Sequence, residues 1–349
     1  MRVVLVITLL IISIISCSDH RVSRNIEESF KNPPDSVRAH TWYHWIDGNV
    51  SKKGITADLE ALKEVGISGF QLFNISWATP FGGVEFNSES FHEHVSFTIK
   101  EAERLGLEVG INSASGWSAT GGPWVEPQYS MKTLIWSETN LNGTNKELII
   151  LPEPELNDDQ KPYDFYRDIA VIAFPTPGNI EYRMTNWRAK SFNELMARSN
   201  KFAPDFHDAH GDAVISLEDI QVLTDRLHKD GLLKWNPPEG EWTILRIGYT
   251  TTAAYVRPAS QGGRGLEIDK LSREAAEKHW NQLLKRVLED ANGKKAFTNV
   301  LIDSYEVGNQ NWTENFDSWF KKRCGYDLIP RLVCMTGRVL ESADYTERV

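Results

Sequence analysis

The stretch Val300-Leu-Ile-Asp303-Ser-Tyr305-Glu306-Val-Gly308 decides how this chain is read. Three apolar residues run into a polar cluster holding two carboxylates. An apolar, β-branched run closed by polar residues is the pattern of a buried parallel strand that empties into a loop. In barrels of alternating strands and helices, such C-terminal strand ends carry the chemistry. Outward from this stretch the same grammar recurs. Ala39 to Asp47, Gly69 to Ile75 and Leu107 to Asn112 are apolar runs that end near Trp, Asn or Asp. Helical patterns separate them. Ser51 caps one carrying Ile55, Leu59 and Leu62 on one face, and Gly66 stops it. A second spans Ser88 to Leu105, with Phe91, Val95, Ile99 and Ala102 aligned and Gly106 at its end. Downstream, Ser272 caps a helix with Ala276, Trp280, Leu283 and Val287, and Thr313 caps another with Phe316, Trp319 and Phe320.

Between Met131 and about Tyr255 the helical period gives way to short β-prone pieces broken by turn residues, including Asn142-Gly143 and Pro177-Gly178. The strands expected there are Thr133 to Thr139, Lys146 to Leu151, Ala170 to Phe174 and Trp242 to Thr250, the last returning to the main sheet around Ile244 to Gly248. That makes five main-sheet strands, whereas a closed barrel needs eight. The fold expected is α/β: a (β/α)8-type barrel, incomplete in this chain, with an inserted β-rich region. Residues 37–130 form the first part of the barrel, 131–240 the insertion and 241–349 the continuation, truncated before completion.

The 349 residues carry a formal charge of -10, which argues against a nucleic-acid partner. The 12 Trp suit the apolar faces of sugar rings, although Trp serves equally as core. Arg2 followed by the apolar run Val3 to Ile15 has the form of a signal segment, too short to span a bilayer. Ile14-Ile15-Ser16-Cys17 resembles a lipobox, so residues 1–17 are expected to be a lipoprotein signal with Cys17 lipidated, and 18–36 a polar tether. The expected location is the cell envelope, as an outer-membrane lipoprotein facing the periplasm or the exterior, held to the membrane by its lipid anchor. Cys324 and Cys334 then remain, too few for a cysteine metal site.

Glu306 is the foremost catalytic candidate, beside Tyr305 and near Asp303. Acetal hydrolysis needs one carboxyl group that keeps its proton for the leaving oxygen and another that is ionised. His44, Trp45 and Asp47 form an aromatic and polar strand end suited to sugar hydroxyls, though a satisfied, half-buried His is the commoner case. Asn74 and Asn112 end consecutive expected strands, and Trp117 lies in the glycine-rich loop that follows. That loop has no Lys at phosphate-loop spacing. His92 and His94 do not share a helix face and are a weak metal signal; no EF-hand spacing is present.

Several stretches together resemble glycoside hydrolase family 106. They are His44-Trp-Ile-Asp-Gly-Asn49, Gly54 to Glu60, Gly116 to Trp124, Trp242 to Tyr249, Gly265 to Ser272, Asp303 to Gly308 and Lys321 to Leu328, collinear over roughly Val37 to Leu332. The resemblance implies an exo-acting α-L-rhamnosidase of the kind found in Bacteroidota, with a (β/α)8 domain, an inverting mechanism, a Ca²⁺ requirement and rhamnose-containing oligo- or polysaccharides as substrate. By motif it makes Glu306 one of two catalytic glutamates, more readily the acid. It places the second carboxylate beyond Val349, since family members are much longer. Glu267 and Asp47 are weak candidates for Ca²⁺ ligands. The alternatives are an exo-glycosidase of other sugar preference, including a uronic-acid-removing one, and a surface lipoprotein that binds glycan without cleaving it.

Overall fold

The computed structural model describes residues 26–143, 148–193, 211–302, 305 and 307–349. Four parallel strands form the main sheet in the order β1 (His40–Ile46), β2 (Gly69–Ile75), β3 (Glu108–Asn112) and, last in the sheet, Phe297–Leu301. The registers run His40↔Gly69 to Ile46↔Ile75, Gly69↔Glu108 to Leu72↔Ile111, and Asn299↔Gly110 to Leu301↔Asn112. Helices α1 (Lys52–Glu64) and α2 (Glu89–Leu105) make the first two crossovers. Their starts are set by Ser51, whose Oγ accepts from the Gly54 N–H, and Ser88, whose Oγ accepts from the Phe91 N–H. Such caps are worth about 1 kcal/mol each. Gly106 ends α2 at φ 65, a left-handed conformation that costs glycine nothing.

Strand alternation divides the sheet. Tyr43, Trp45, Phe70, Leu72, Val109 and Ile111 face the helices and pack with Ile55, Leu59, Phe91, Val95 and Ile99. The opposite face mixes the aromatic rings of Trp42 and Phe73 with polar side chains. Gln71 Nε2 donates to Asn299 Oδ1 at 2.9 Å across Gly110, where a Cβ would meet both side chains. Before the last main-sheet strand, α3 (Arg273–His279) passes through a π turn at Trp280–Leu284 into α4 (Lys285–Ala291). The π turn inserts a residue, and the buried face becomes Ala275, His279, Leu283 and Val287. The expected Ala276 is exposed and Trp280 is 44% exposed.

The inserted region forms a second, antiparallel sheet. Its strands are β4 (Lys132–Gly143), β5 (Arg167–Pro175), β6 (Gln221–Val222) and β7 (Gly240–Thr251), in the order β4-β7-β5-β6. The strand expected to rejoin the main sheet at Ile244 to Gly248 is therefore the centre of this one. It pairs with β4 from Gly240↔Gly143 to Thr251↔Lys132 and with β5 on its other edge. The main-sheet strand at Phe297–Leu301 is β8, and among the described residues the main sheet has four strands, not five. Helix α5 (Phe316–Cys324) is preceded by Asn315, not capped by Thr313. Phe316 and Phe320 pack on the core of the second sheet, while Trp319 is 55% exposed. The segment expected as a polar tether includes a short exposed helix, Ile26–Lys31. No helix among the described residues is long and apolar enough to cross a membrane, and Cys17 lies outside them.

Candidate active site

The C-terminal ends of β1, β2, β3 and β8 lie side by side, as parallel pairing requires. Three segments rim this mouth: the loop after β2, the glycine-rich loop after β3, and a hairpin between β7 and α3. The hairpin's arms pair through Tyr255↔Leu266 and the Val256 N–H to the Gly265 carbonyl at 2.9 Å. Its tip reaches over the end of β2. Ser76 N–H donates to the Pro258 carbonyl at 2.8 Å, and Ser260 Oγ donates to Asn74 Oδ1.

Asn74 and Asn112 are both 3% exposed at adjacent strand ends. Asn74 Oδ1 is held by Ser260 and by Ser115 Oγ at 3.3 Å, leaving its Nδ2 without a partner. Asn112 Nδ2 donates to the Ala114 and Gly116 carbonyls at 3.0 and 2.9 Å, leaving its Oδ1 without one. His44 stands among Trp42, Phe73 and Trp117, with ring centroids 5.8, 5.5 and 6.4 Å away. Its Nε2 and the Trp117 Nε1 are also buried and unpartnered, and burial pushes the His44 imidazolium pKa down. A buried donor or acceptor left unpaired costs about 1–3 kcal/mol. His44 Nε2, Asn112 Oδ1 and Trp117 Nε1 are three such atoms at the mouth, whereas Asn74, in register with Trp45, belongs to the helix-facing side of β2.

Two expected contacts are placed differently. Trp45 follows His44 in the strand, so alternation turns it to the helix side, where it is 2% exposed against Phe91 and His94. Asp47 is engaged by its own loop. Its Oδ2 accepts the Trp77 N–H, the Thr79 N–H and the Thr79 hydroxyl, each at 2.9 Å. Burial, the largest single influence, pushes the Asp47 pKa up, but those bonds and one from Ser76 together hold it at about 2.

Glu267, on the hairpin's second arm, is fully buried. Its Oε1 accepts the Thr120 N–H at 3.0 Å, the Thr120 hydroxyl and Lys270 Nζ at 2.9 Å, while Oε2 has no partner. Burial pushes Glu267 up and Lys270 down. The Lys270 ammonium lies 5.0 Å from the centroid of the half-exposed Tyr305 ring. Burial and the neighbouring Glu267 charge raise the Tyr305 pKa. Asp303 and Glu306 lie outside the described residues.

No group of three His, Cys, Asp or Glu able to hold a metal occurs among the described residues. Of the two weak Ca²⁺ candidates, Glu267 receives an ammonium on one oxygen and Asp47 three donors on one oxygen. His92 bonds Asp290 and Asn87, tying α2 to α4, and His94 bonds the Ser90 carbonyl.

Asp269 and Lys132 escaped the sequence reading. They form a buried ion pair of 2.8 Å, 0% and 2% exposed. Asp269 also accepts from Thr313 Oγ1 at 2.7 Å, the Leu271 N–H at 3.0 Å and Gln310. The carboxylate thus joins β4, the hairpin and the segment after β8 beneath the mouth. The only signal was an acid and a lysine adjoining in Gly265 to Ser272; the partner at position 132 is 137 residues away.

The family model described as alpha-L-rhamnosidase matches residues 31–349. The chain belongs to glycoside hydrolase family 106. A protein of Formosa agariphila named putative beta-glucuronidase is 41% identical over 325 residues, 93% of this chain and 27% of that protein. The solved rhamnosidase from Novosphingobium sp. PP1Y superposes with a TM-score of 0.71 at 24% identity, over 93% of this chain and 44% of its own. That likeness establishes a shared mixed α/β architecture resembling a β/α-barrel domain; no closed barrel is formed by the described residues. The chain spans less than half the length of either relative.

Proposed function

We propose that the mouth holds a terminal α-L-rhamnosyl residue and that its glycosidic bond is hydrolysed with inversion. The observation that carries this reading is the set of three buried, unpartnered polar atoms, His44 Nε2, Asn112 Oδ1 and Trp117 Nε1, at one strand-end mouth of a family member. A pyranoside offers donors and acceptors to satisfy them and an apolar face for Trp117. Glu306 serves as general acid, giving its proton to the leaving oxygen as the C1–O bond breaks. A second carboxylate about 6.5–9.5 Å away takes a proton from the attacking water. The proposal keeps a Ca²⁺ requirement and routes no step through the ion. The protein is carried at the cell envelope by a lipid on Cys17.

The test compares an activated aryl α-L-rhamnoside with a disaccharide whose leaving group is an ordinary sugar, using the full-length gene product. Glu306→Gln is expected to lower kcat on the disaccharide by about 10²–10⁴-fold and on the aryl substrate far less, because only the sugar alkoxide needs the proton. Equal small losses on both substrates end the acid assignment. A second reading, removal of a uronic acid, is favoured by the name of the Formosa agariphila relative. Turnover of an aryl β-D-glucuronide without turnover of the rhamnoside would select it.

A further inference from the structure

We infer that the rim hairpin carries a subsite for an anionic group, a carboxylate or a sulfate ester, on the saccharide that enters the mouth. The hairpin register places Arg257 opposite Arg264, one pair beyond Val256 and Gly265. Alternation puts Tyr255 on the same face as both. The side chains meet there. The Arg257 guanidinium lies 4.8 Å and that of Arg264 4.7 Å from the centroid of the Tyr255 ring. The two charges therefore stand within about 10 Å of each other, comparable to the screening length of physiological salt, and repel. Both side chains are exposed, and among the described residues neither has a carboxylate within ion-pair distance, in a chain of net charge -10.

Stacking on one tyrosine restrains two flexible side chains without using their N–H donors. Unpaired guanidiniums held this way suit a planar carboxylate or a sulfate, which accept forked hydrogen bonds. The place matters as much as the charge. The Arg257 carbonyl accepts the Trp117 N–H at 3.1 Å, and the next carbonyl, that of Pro258, accepts the N–H of Ser76 at the end of β2. These backbone contacts seat the pair on the rim beside Trp117, and the inference sets the next sugar of the chain against it. The ligand class is thus an acidic glycan in which the charge sits next to the sugar held in the mouth. The inference rests on the proposed function for the location of that sugar.

The experiment is calorimetric titration of the 349-residue chain with three probes. They are a rhamnosyl-uronate disaccharide, its counterpart with the carboxyl reduced to an alcohol, and a sulfated rhamnosyl disaccharide. The uronate or the sulfate probe is expected to bind about tenfold tighter than the reduced one at low salt, with the preference shrinking as salt rises. Which of the two shows the preference identifies the anion. In Arg257→Gln/Arg264→Gln, folded as judged by its thermal melt, the preference ratio falls to about one. An equal affinity for all three probes overturns the inference, as does a preference that survives the double substitution. Turnover of a neutral aryl rhamnoside is a separate readout, and its absence alongside an intact, arginine-dependent preference counts against the proposed hydrolysis and not against the subsite.

Discussion

Replacing Lys132 by Met removes one charge from the buried pair with Asp269 while keeping most of the apolar stem. Asp269 has no exposed surface, and its remaining donors, Thr313, Gln310 and the Leu271 N–H, are neutral. Breaking such a pair from one side leaves an uncompensated buried charge and costs about 3–5 kcal/mol. Against a whole-domain stability of about 5–15 kcal/mol, that is a large fraction. Asp269→Asn in the same background removes the second charge but keeps an acceptor, so the double variant is expected to lose only about 1–2 kcal/mol. The coupling is then at least about 2 kcal/mol, in the direction that makes the double variant better than the single one. Urea unfolding followed by tryptophan fluorescence on the four members of the cycle measures it. The reasoning is refuted if Lys132→Met costs less than about 1 kcal/mol, or if the two substitutions simply add.

Protonation of His279 gives a second expectation. It is 3% exposed, and burial lowers its pKa to about 4 from an unfolded value near 6.5. The unfolded chain therefore binds the proton first. Stability is complete above about pH 6.5 and falls by about 3 kcal/mol as pH drops through about 4; melts of His279→Leu should lack that part of the slope. For Ca²⁺, calorimetry on the stripped full-length protein is expected to show binding together with loss of rhamnoside turnover on chelation, and no heat with undiminished turnover counts against it. For Cys17, incorporation of labelled fatty acid is expected in the parent and not in Cys17→Ala; equal labelling rejects lipidation.

Where the sequence reading succeeded, the determinant was local. Ser51, Ser88, Gly66 and Gly106 bound their helices by capping chemistry that a few residues contain. The same local pattern put Asn74 and Asn112 at the ends of β2 and β3, where they stand. Trp45 takes the other side of β1 from His44 because two neighbours in a strand cannot face the same side. The misplacement of β7 has a different cause. Every residue from Trp242 to Thr251 is buried, so a central antiparallel strand covered on both faces reads like a parallel one. Thr313 resembled a helix cap because its true partner, Asp269, is 44 residues away. The π turn leaves no periodic trace, so the face of α3 was assigned one residue off.

The mouth and the inserted sheet share connectors. The chain leaves β3 through the glycine-rich loop into β4, and returns from β7 through the rim hairpin into α3. These connectors are fastened to each other where the second sheet begins: Met131 N–H to the Glu267 carbonyl at 3.0 Å, Thr252 N–H to the Met131 carbonyl at 2.8 Å, and Ser130 Oγ to Thr251 Oγ1 at 2.7 Å. Beyond them the long β4–β7 ladder fixes their separation. A loop whose ends are free loses its disorder when a ligand arrives, and that loss weakens binding. Here the loss accompanies folding, before any sugar is present. On the proposed function, the antiparallel sheet, which contributes none of the unpartnered atoms at the mouth, acts on affinity through preorganisation, and a substitution in the β4–β7 ladder is expected to loosen sugar binding without removing a contact.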